Sequence, residues 1–162
     1  MKPRVLIVDG HSMIFQWPDL TLQHAKRGAV ARETLVRMLN GLQDNSDWHV
    51  AVVFDGQGTK ASEASEPHGI QVFYSKEGQT ADSIIERLVA KYAEKYEVTV
   101  ATDDILERTT VESFGGCSMS AYQLREEIDV AGRDMDERLK KLQPEKRVTT
   151  ALKETWGQRP QI

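Results

Sequence analysis

Three largely apolar runs that lead into aspartate restrict the fold of this chain more than any other feature of its sequence. They are Val5–Val8 before Asp9, Val50–Phe54 before Asp55, and Val98–Ala101 before Asp103 and Asp104. Runs of this kind are typical of strands that are buried on both faces of a parallel sheet. A fourth and more mixed run, Ile70–Tyr74, predicts a strand nearer the sheet edge.

Apolar residues at helical spacing fill the gaps between the predicted strands. Between the runs at 5–8 and 50–54 they are Ala31, Leu35, Met38, Leu39 and Leu42. Between the runs at 70–74 and 98–101 they are Ala81, Ile84, Ile85, Leu88, Val89 and Tyr92, and after the last run they are Ala121, Leu124 and Ile128. The resulting order, β-α-β-β-α-β-α-α, predicts a three-layer α/β/α sandwich with a mostly parallel central sheet. The polar segments Phe15–Gly28 and Gly56–Gly69 are predicted to be loops.

Length and composition predict one globular domain. The chain has 162 residues, of which 40% are hydrophobic and 28% charged, so it can build a core of ordinary size. We expect the domain to span 1–143 and a tail that could form a short helix to span 144–162. A lone cysteine, Cys117, and the lack of a signal peptide or an apolar membrane span predict a cytoplasmic protein that does not enter a membrane.

The aspartates at the strand ends are the candidate chemistry. The carboxyl ends of parallel strands share one edge of the sheet, where open α/β sheets bind ligands. Asp82, in the first turn of a helix after Thr80, joins them if its preceding strand is antiparallel or a loop returns to this edge. Clustered carboxylates need compensating cations, and Mg²⁺ or Mn²⁺ suits oxygen ligands. Each of these aspartates on its own could instead be a turn or helix-cap residue. Asp104, for example, stands three residues before Glu107 in the pattern of a capping box.

The order of motifs resembles that of YacP-type NYN-domain proteins, which are PIN-like ribonucleases. The resemblance covers about residues 4–128, and its motifs lie at 5–14, 52–55, 73–82, 100–104 and 114–121. They read VLIVDGHSMI, VVFD, FYSKEGQTAD, VATDD and FGGCSMSA. The sequence departs from the family in having His11-Ser12 where Tyr-Asn is frequent, and Asp103 where Ser is common.

The resemblance implies a PIN-like fold and magnesium-dependent endonucleolytic cleavage of RNA that leaves 5′-phosphate and 3′-hydroxyl ends. It implies Asp9, Asp82 and Asp104 as the catalytic set, binding one or two magnesium ions, with Asp55 as a fourth metal ligand.

Four further residues are candidate substrate contacts because of their position near these acids. Ser12, His11 and Thr102 adjoin Asp9 or Asp104, and Lys76 lies in a loop where it could reach a phosphate. The net charge of −4 and the pI of about 5.6 are unusual for a protein that grips nucleic acid by charge alone. We therefore expect a partner, such as a ribosome or another ribonucleoprotein, to position the RNA.

Three alternatives stay open at this point. A phosphatase of the haloacid dehalogenase type needs a second Asp two residues after the first, and His11 stands there. A non-catalytic PIN-like module that binds RNA or a ribonucleoprotein would not need the full acidic set. DNA cleavage is a third, because 5′-nucleases of similar fold share the Val-Asp-Gly-His opening.

Overall fold

A five-stranded parallel sheet forms the centre of the computed structural model, which describes residues 2–56 and 69–142. The strands are β1 (Arg4–Asp9), β2 (Trp48–Phe54), β3 (Gln71–Tyr74), β4 (Glu97–Ala101) and β5 (Cys117–Met119). Their order across the sheet is β3-β2-β1-β4-β5, and every neighbouring pair is parallel. The central strand is therefore β1, which carries the first of the candidate aspartates.

Helices cover both faces of the sheet. They are α1 (Gly10–Gln16), α2 (Pro18–Lys26), α3 (Gly28–Asp44), α4 (Ala81–Tyr92), α5 (Ile105–Ser113) and α6 (Ala121–Lys141). Side chains of α1, α2, α3 and α6 pack with alternate strand residues in one core cluster, and those of α4 and α5 pack in a second cluster. The prediction of a three-layer α/β/α sandwich with a parallel sheet is confirmed.

The alternation of side chains along β1 divides the two cores. Leu6 and Val8 point into the larger core, whereas Ile7 points into the smaller one, and all three are at most 1% exposed. A strand buried on both faces needs apolar residues at every position, which explains the uninterrupted run that precedes Asp9.

Two parts of the fold differ from the prediction. Phe15–Gly28 is helical over most of its length, because Pro18 occupies the first position of α2, where its missing N–H costs nothing. The short strand β5 was not predicted, since its three residues carry no β-branched or alternating signal. The expected tail lies outside the described residues, as does most of the predicted loop Gly56–Gly69.

Four helices begin at the carboxyl edge of the sheet. Each follows a strand that ends there: α1 follows β1, α4 follows β3, α5 follows β4, and α6 follows β5. Because β3 is parallel to β2, the segment 75–80 turns at this edge and brings the start of α4 to it directly. No helix within 2–56 and 69–142 is both long enough and apolar enough to cross a membrane.

Candidate metal centre

Three carboxyl groups meet at the carboxyl edge of the sheet, above the central strand. Asp9 ends β1, Asp82 lies in the first turn of α4, and Glu107 lies in the first turn of α5. One carboxylate oxygen from each lies within 4.8 Å of the others. Asp9 and Glu107 are buried, at 5% and 3% exposure, whereas Asp82 is exposed. The cluster therefore has a buried floor and an open mouth.

Two hydroxyl groups hold the floor of this cluster. The Ser12 hydroxyl donates to Asp9 Oδ2 at 2.9 Å, and Ser12 Oγ accepts from the backbone N–H of Asp103 at 3.4 Å. Thr102 Oγ1 lies 3.2 Å from both Asp9 Oδ2 and Glu107 Oε2, so it can donate its single proton to either. It also accepts from the backbone N–H of Asp104 at 3.1 Å. Both hydroxyl groups thus fix the direction in which the carboxylates point.

The electrostatics of the cluster favour a bound cation. Burial, followed by the negative charges of Asp9 and Asp82, raises the pKa of Glu107 to about 9. Burial also raises the pKa of Asp82, with further contributions from Asp9, Asp104 and Asp55. Without a cation the cluster therefore retains a proton near neutral pH. A divalent ion would offset the repulsion and allow all three groups to ionise.

The residues present fit a hard divalent cation. Glu107 Oε1 is buried and has no hydrogen-bond partner within the described segments. Burial of an unpartnered carboxyl oxygen is costly, and a bound cation would remove that cost by accepting the oxygen as a ligand. The three side chains offer only oxygen atoms, the donors that Mg²⁺ and Mn²⁺ prefer. The prediction that an acidic cluster at this edge could hold a metal ion is confirmed.

Two of the predicted metal ligands lie beside this cluster and are engaged with backbone N–H groups. Asp104 caps α5, where its Oδ1 accepts from the N–H groups of Leu106 and Glu107 at 3.0 and 3.4 Å. Asp55 Oδ1 accepts from the N–H of Ala81 at 2.9 Å, which fixes the start of α4 one residue before Asp82. Both are close enough for their charges to act on Asp82.

The four predicted substrate contacts divide into two pairs. Ser12 and Thr102 belong to the floor of the cluster, where Thr102 is fully buried and its hydroxyl contacts Asp9. His11 and Lys76 are exposed. The ring of His11 contacts that of Phe15 in a tilted arrangement, with centroids 4.4 Å apart and planes at 44°, and Lys76 lines a groove with Tyr74 and Arg87.

Glu107 was absent from the predicted site. In the sequence it stands only as the partner of Asp104 in a capping box. In the structure Ile105 and Leu106 are 75% and 80% exposed, whereas Glu107 is buried and belongs to the cluster. The signal available in the sequence is the spacing of Glu107 and the fully buried Val111, which lie four residues apart on one helical face.

Comparison with known proteins identifies relatives over nearly the whole chain. The family model described as the YacP-like NYN domain matches residues 6–159, and so extends into the segment expected to be a tail. The chain is 32% identical over 144 residues to YacP of Bacillus subtilis strain 168, covering 88% of this chain and 85% of that protein.

Solved structures agree with this match. The crystal structure of Rae1 (YacP) from Bacillus subtilis has a TM-score of 0.75 and 31% identity, covering 93% of this chain and 88% of that one. Its W164L mutant has a TM-score of 0.74 and 29% identity, covering 86% of this chain and 82% of that one.

Proposed function

The chain belongs to the family of YacP-like NYN domains, which are nuclease-like, and from this premise we propose that it is a magnesium-dependent endoribonuclease. The observation that carries the proposal is the cluster of Asp9, Asp82 and Glu107 at the carboxyl edge of the parallel sheet. Hydrolysis of a phosphodiester needs charge neutralisation and an activated water, and neither requires a nucleophilic side chain.

Asp9, Glu107 and Asp82 would hold the ion, the first two from the buried floor and the third from the open mouth. Bound Mg²⁺, or Mn²⁺ in its place, would supply positive charge at the phosphate and favour ionisation of water. Ser12 and Thr102 would keep the carboxylates of the floor in place. Asp104 and Asp55 each commit Oδ1 to backbone N–H groups, so their Oδ2 atoms would act on water near the ion or on a second ion.

The reaction would be hydrolysis of one internal P–O3′ bond of RNA. The oxygen of water forms the new bond to phosphorus, the bond to O3′ breaks, and a proton passes to O3′. The products would carry 5′-phosphate and 3′-hydroxyl ends. The exposure of Asp82 supports a polymeric substrate, because a strand can cross the open mouth of the site without threading through a tunnel.

The net charge of −4 supports a further part of the proposal, namely that a ribosome or another ribonucleoprotein presents the RNA. The net negative charge of the protein repels RNA at long range, so binding depends on short-range contacts that a partner helps to align. Cutting of naked RNA should therefore be slow relative to cutting of the RNA in its complex.

Cleavage of an end-labelled structured RNA tests the proposal, with Mg²⁺, Mn²⁺ or EDTA present. The wild type is compared with Asp82→Asn and with the control Asp136→Asn, which changes an exposed aspartate of α6. We expect internal cuts with 5′-phosphate ends that require a metal ion, disappear in Asp82→Asn and persist in Asp136→Asn. Should no metal support cutting of naked RNA or of RNA in a cell extract, the non-catalytic binding module is the better reading.

A further inference from the structure

We propose that three adjoining aromatic side chains near the metal centre form a platform for the unpaired bases of single-stranded RNA. The platform consists of His11, Phe15 and His24. The proposal rests on the proposed function, because it names the form of RNA that the same site receives.

The geometry of the platform is that of a continuous row of rings. The centroids of His11 and Phe15 lie 4.4 Å apart, and those of Phe15 and His24 lie 4.9 Å apart with their planes at 69°. A Cβ on Gly28 would lie 3.3 Å from His24 Nδ1, so the inner end of the row packs against the start of α3. A row fixed in this way can accept a base without first being ordered.

Exposure of the central ring is the feature that the fold leaves unexplained. Phe15 is 45% exposed, although the buried residues Met13 and Ile14 of the same short helix already anchor it to the core. Apolar side chains exposed singly are common, but here the exposed ring is flanked by two others. Base stacking on aromatic side chains is the usual way in which proteins hold unpaired nucleotides.

One end of the platform lies close in the chain to a carboxylate of the metal centre, and the other end lies close in the chain to positive charge. His11 lies two residues after Asp9, at the start of α1. Lys26 and Arg27 follow His24 by two and three residues, are exposed, and form no ion pair with any described residue. Cationic groups next to aromatic rings match the backbone and the bases of a single strand.

Double-stranded RNA does not fit this arrangement, because its bases are stacked on one another and shielded from side chains. The platform thus predicts that the enzyme engages RNA at an unpaired segment, with a base on the rings while the neighbouring phosphate lies at the metal centre.

The test measures binding in the Asp82→Asn background with Mg²⁺, so that nothing is cut. A single-stranded oligoribonucleotide and its duplex are each titrated, with 2-aminopurine in the strand to report stacking. The variants Phe15→Ala and Phe15→Trp are compared with Phe114→Ala. Phe114 is a matched control: it is 48% exposed, but it lies at the far end of α5, away from the carboxyl edge. Thermal unfolding of each variant verifies that it is folded.

We expect Phe15→Ala to weaken binding of the single strand by about 5- to 150-fold, the range found when a stacking side chain is removed. The quenching of 2-aminopurine should disappear with it, while Phe15→Trp and Phe114→Ala behave as the parent protein does. Binding to the duplex should not depend on Phe15.

Unchanged single-strand binding in Phe15→Ala would overturn the proposal, as would an equal loss in Phe114→Ala or preferential, Phe15-independent binding of the duplex. The first result would assign the exposed ring to a protein partner or to packing. Failure of the proposed function is distinguishable, because the protein with Asp82 intact would then bind the strand through Phe15 yet leave it uncut in the presence of metal.

Discussion

At the scale of single residues, Thr102 connects more of the site than any carboxylate does. Its hydroxyl oxygen contacts Asp9, Glu107 and Ser12 and accepts the N–H of Asp104. A fully buried hydroxyl with this many partners fixes the geometry of two candidate ligands at once. We therefore expect Thr102 to act as a positioning residue, because it contacts the carboxylates from the closed side and is shielded from solvent.

We expect Thr102→Val to reduce both stability and cleavage. The isosteric change leaves the N–H of Asp104 without an acceptor, which costs about 1–3 kcal/mol in the free energy of unfolding. Loss of support for the ligands should lower the cleavage rate about 10- to 100-fold. Urea unfolding and single-turnover cleavage measure the two effects. Thr102→Ser, which keeps the hydroxyl, should restore most of the rate; a Val variant that cuts like the wild type would refute this role.

The sequence predicts the aspartates of the site better than its glutamate, and the reason is geometric. Asp9 follows a strand whose apolar run reveals its burial, so the position of its side chain follows from the strand alone. Asp82 lies within the family motif and at a helix start. Glu107 faces the cluster only because α5 rotates Ile105 and Leu106 outward, and that rotation is set by packing against the sheet.

At the scale of elements, carboxylates fasten the starts of the helices that carry the site. Asp9 caps α1, Asp104 caps α5, and Asp55 and Asp103 accept the first N–H of α4 and α6 from a distance in the sequence. Negative groups at helix starts are favourable because of the helix dipole and the free N–H groups there. Asp9 thus caps a helix and also belongs to the acidic cluster, so its structural role is compatible with the proposed one.

Asp55 offers a test of whether it positions α4 or binds metal. Asp55→Ala removes the acceptor for Ala81 N–H, so it should displace Asp82 and lower the cleavage rate about 10- to 100-fold. Asp55→Asn keeps a side-chain oxygen for that bond and should retain most of the rate. Cleavage rates of the two variants are compared with Asp47→Ala, which breaks an ion pair with Arg4 before β2. An Asn variant as impaired as Ala would show that the charge itself is needed.

The junction between β2 and β3 depends on a close backbone approach. A Cβ on Gly56 would lie 1.9 Å from the backbone oxygen of Ser75, and Gly56 N–H donates to Ser75 Oγ. We expect Gly56→Ala to cost about 1–3 kcal/mol in the free energy of unfolding, as overpacking does. Gly132→Ala in α6 is the control, because nothing lies within 4 Å of its Cβ. It should stabilise the protein by about 0.5–1 kcal/mol; thermal unfolding that ranks the two the other way would contradict the packing.

The sequence predicts the long buried elements and misses those that only the tertiary structure stabilises. The continuous apolar runs of β1, β2 and β4 are typical of buried strands, and the apolar residues of α3 and α4 recur at helical spacing. The strand β5 forms because Thr99, Val100 and Ala101 of β4 provide a template for it. Helix α2 has a buried anchor in Leu20 but a mostly polar surface, which resembles a loop in the sequence.

At the scale of the whole molecule, the fold concentrates negative charge where four helix starts converge. Without a cation this arrangement is a source of instability, because burial and neighbouring charge oppose the ionisation of Glu107. A bound ion would convert it into a source of stability, since ligands that bind only the folded state stabilise that state.

This gives the metal-free protein a defined dependence of stability on pH. Glu107 has a pKa of about 9 when folded against 4.5 ordinarily, so the folded state holds the extra proton between these values. The free energy of unfolding should therefore fall as pH rises from about 5 to 9. Urea unfolding in EDTA at both ends of the range measures the fall, which should be smaller in Glu107→Gln. A fall of the same size in the variant would show that Glu107 is not its source.

The most direct test of the metal centre is isothermal titration calorimetry, in which Mn²⁺ is titrated into the wild type, Glu107→Gln and Glu112→Gln. Glu112 is the matched control: it lies on the same helix α5, but it is exposed and accepts from the Ser118 hydroxyl. We expect the wild type and Glu112→Gln to bind the ion alike, and Glu107→Gln to bind it at least about tenfold more weakly, since even residues that only support a ligand have effects of that size. Equal affinity in all three proteins would contradict the assignment of Asp9, Asp82 and Glu107 as the metal centre.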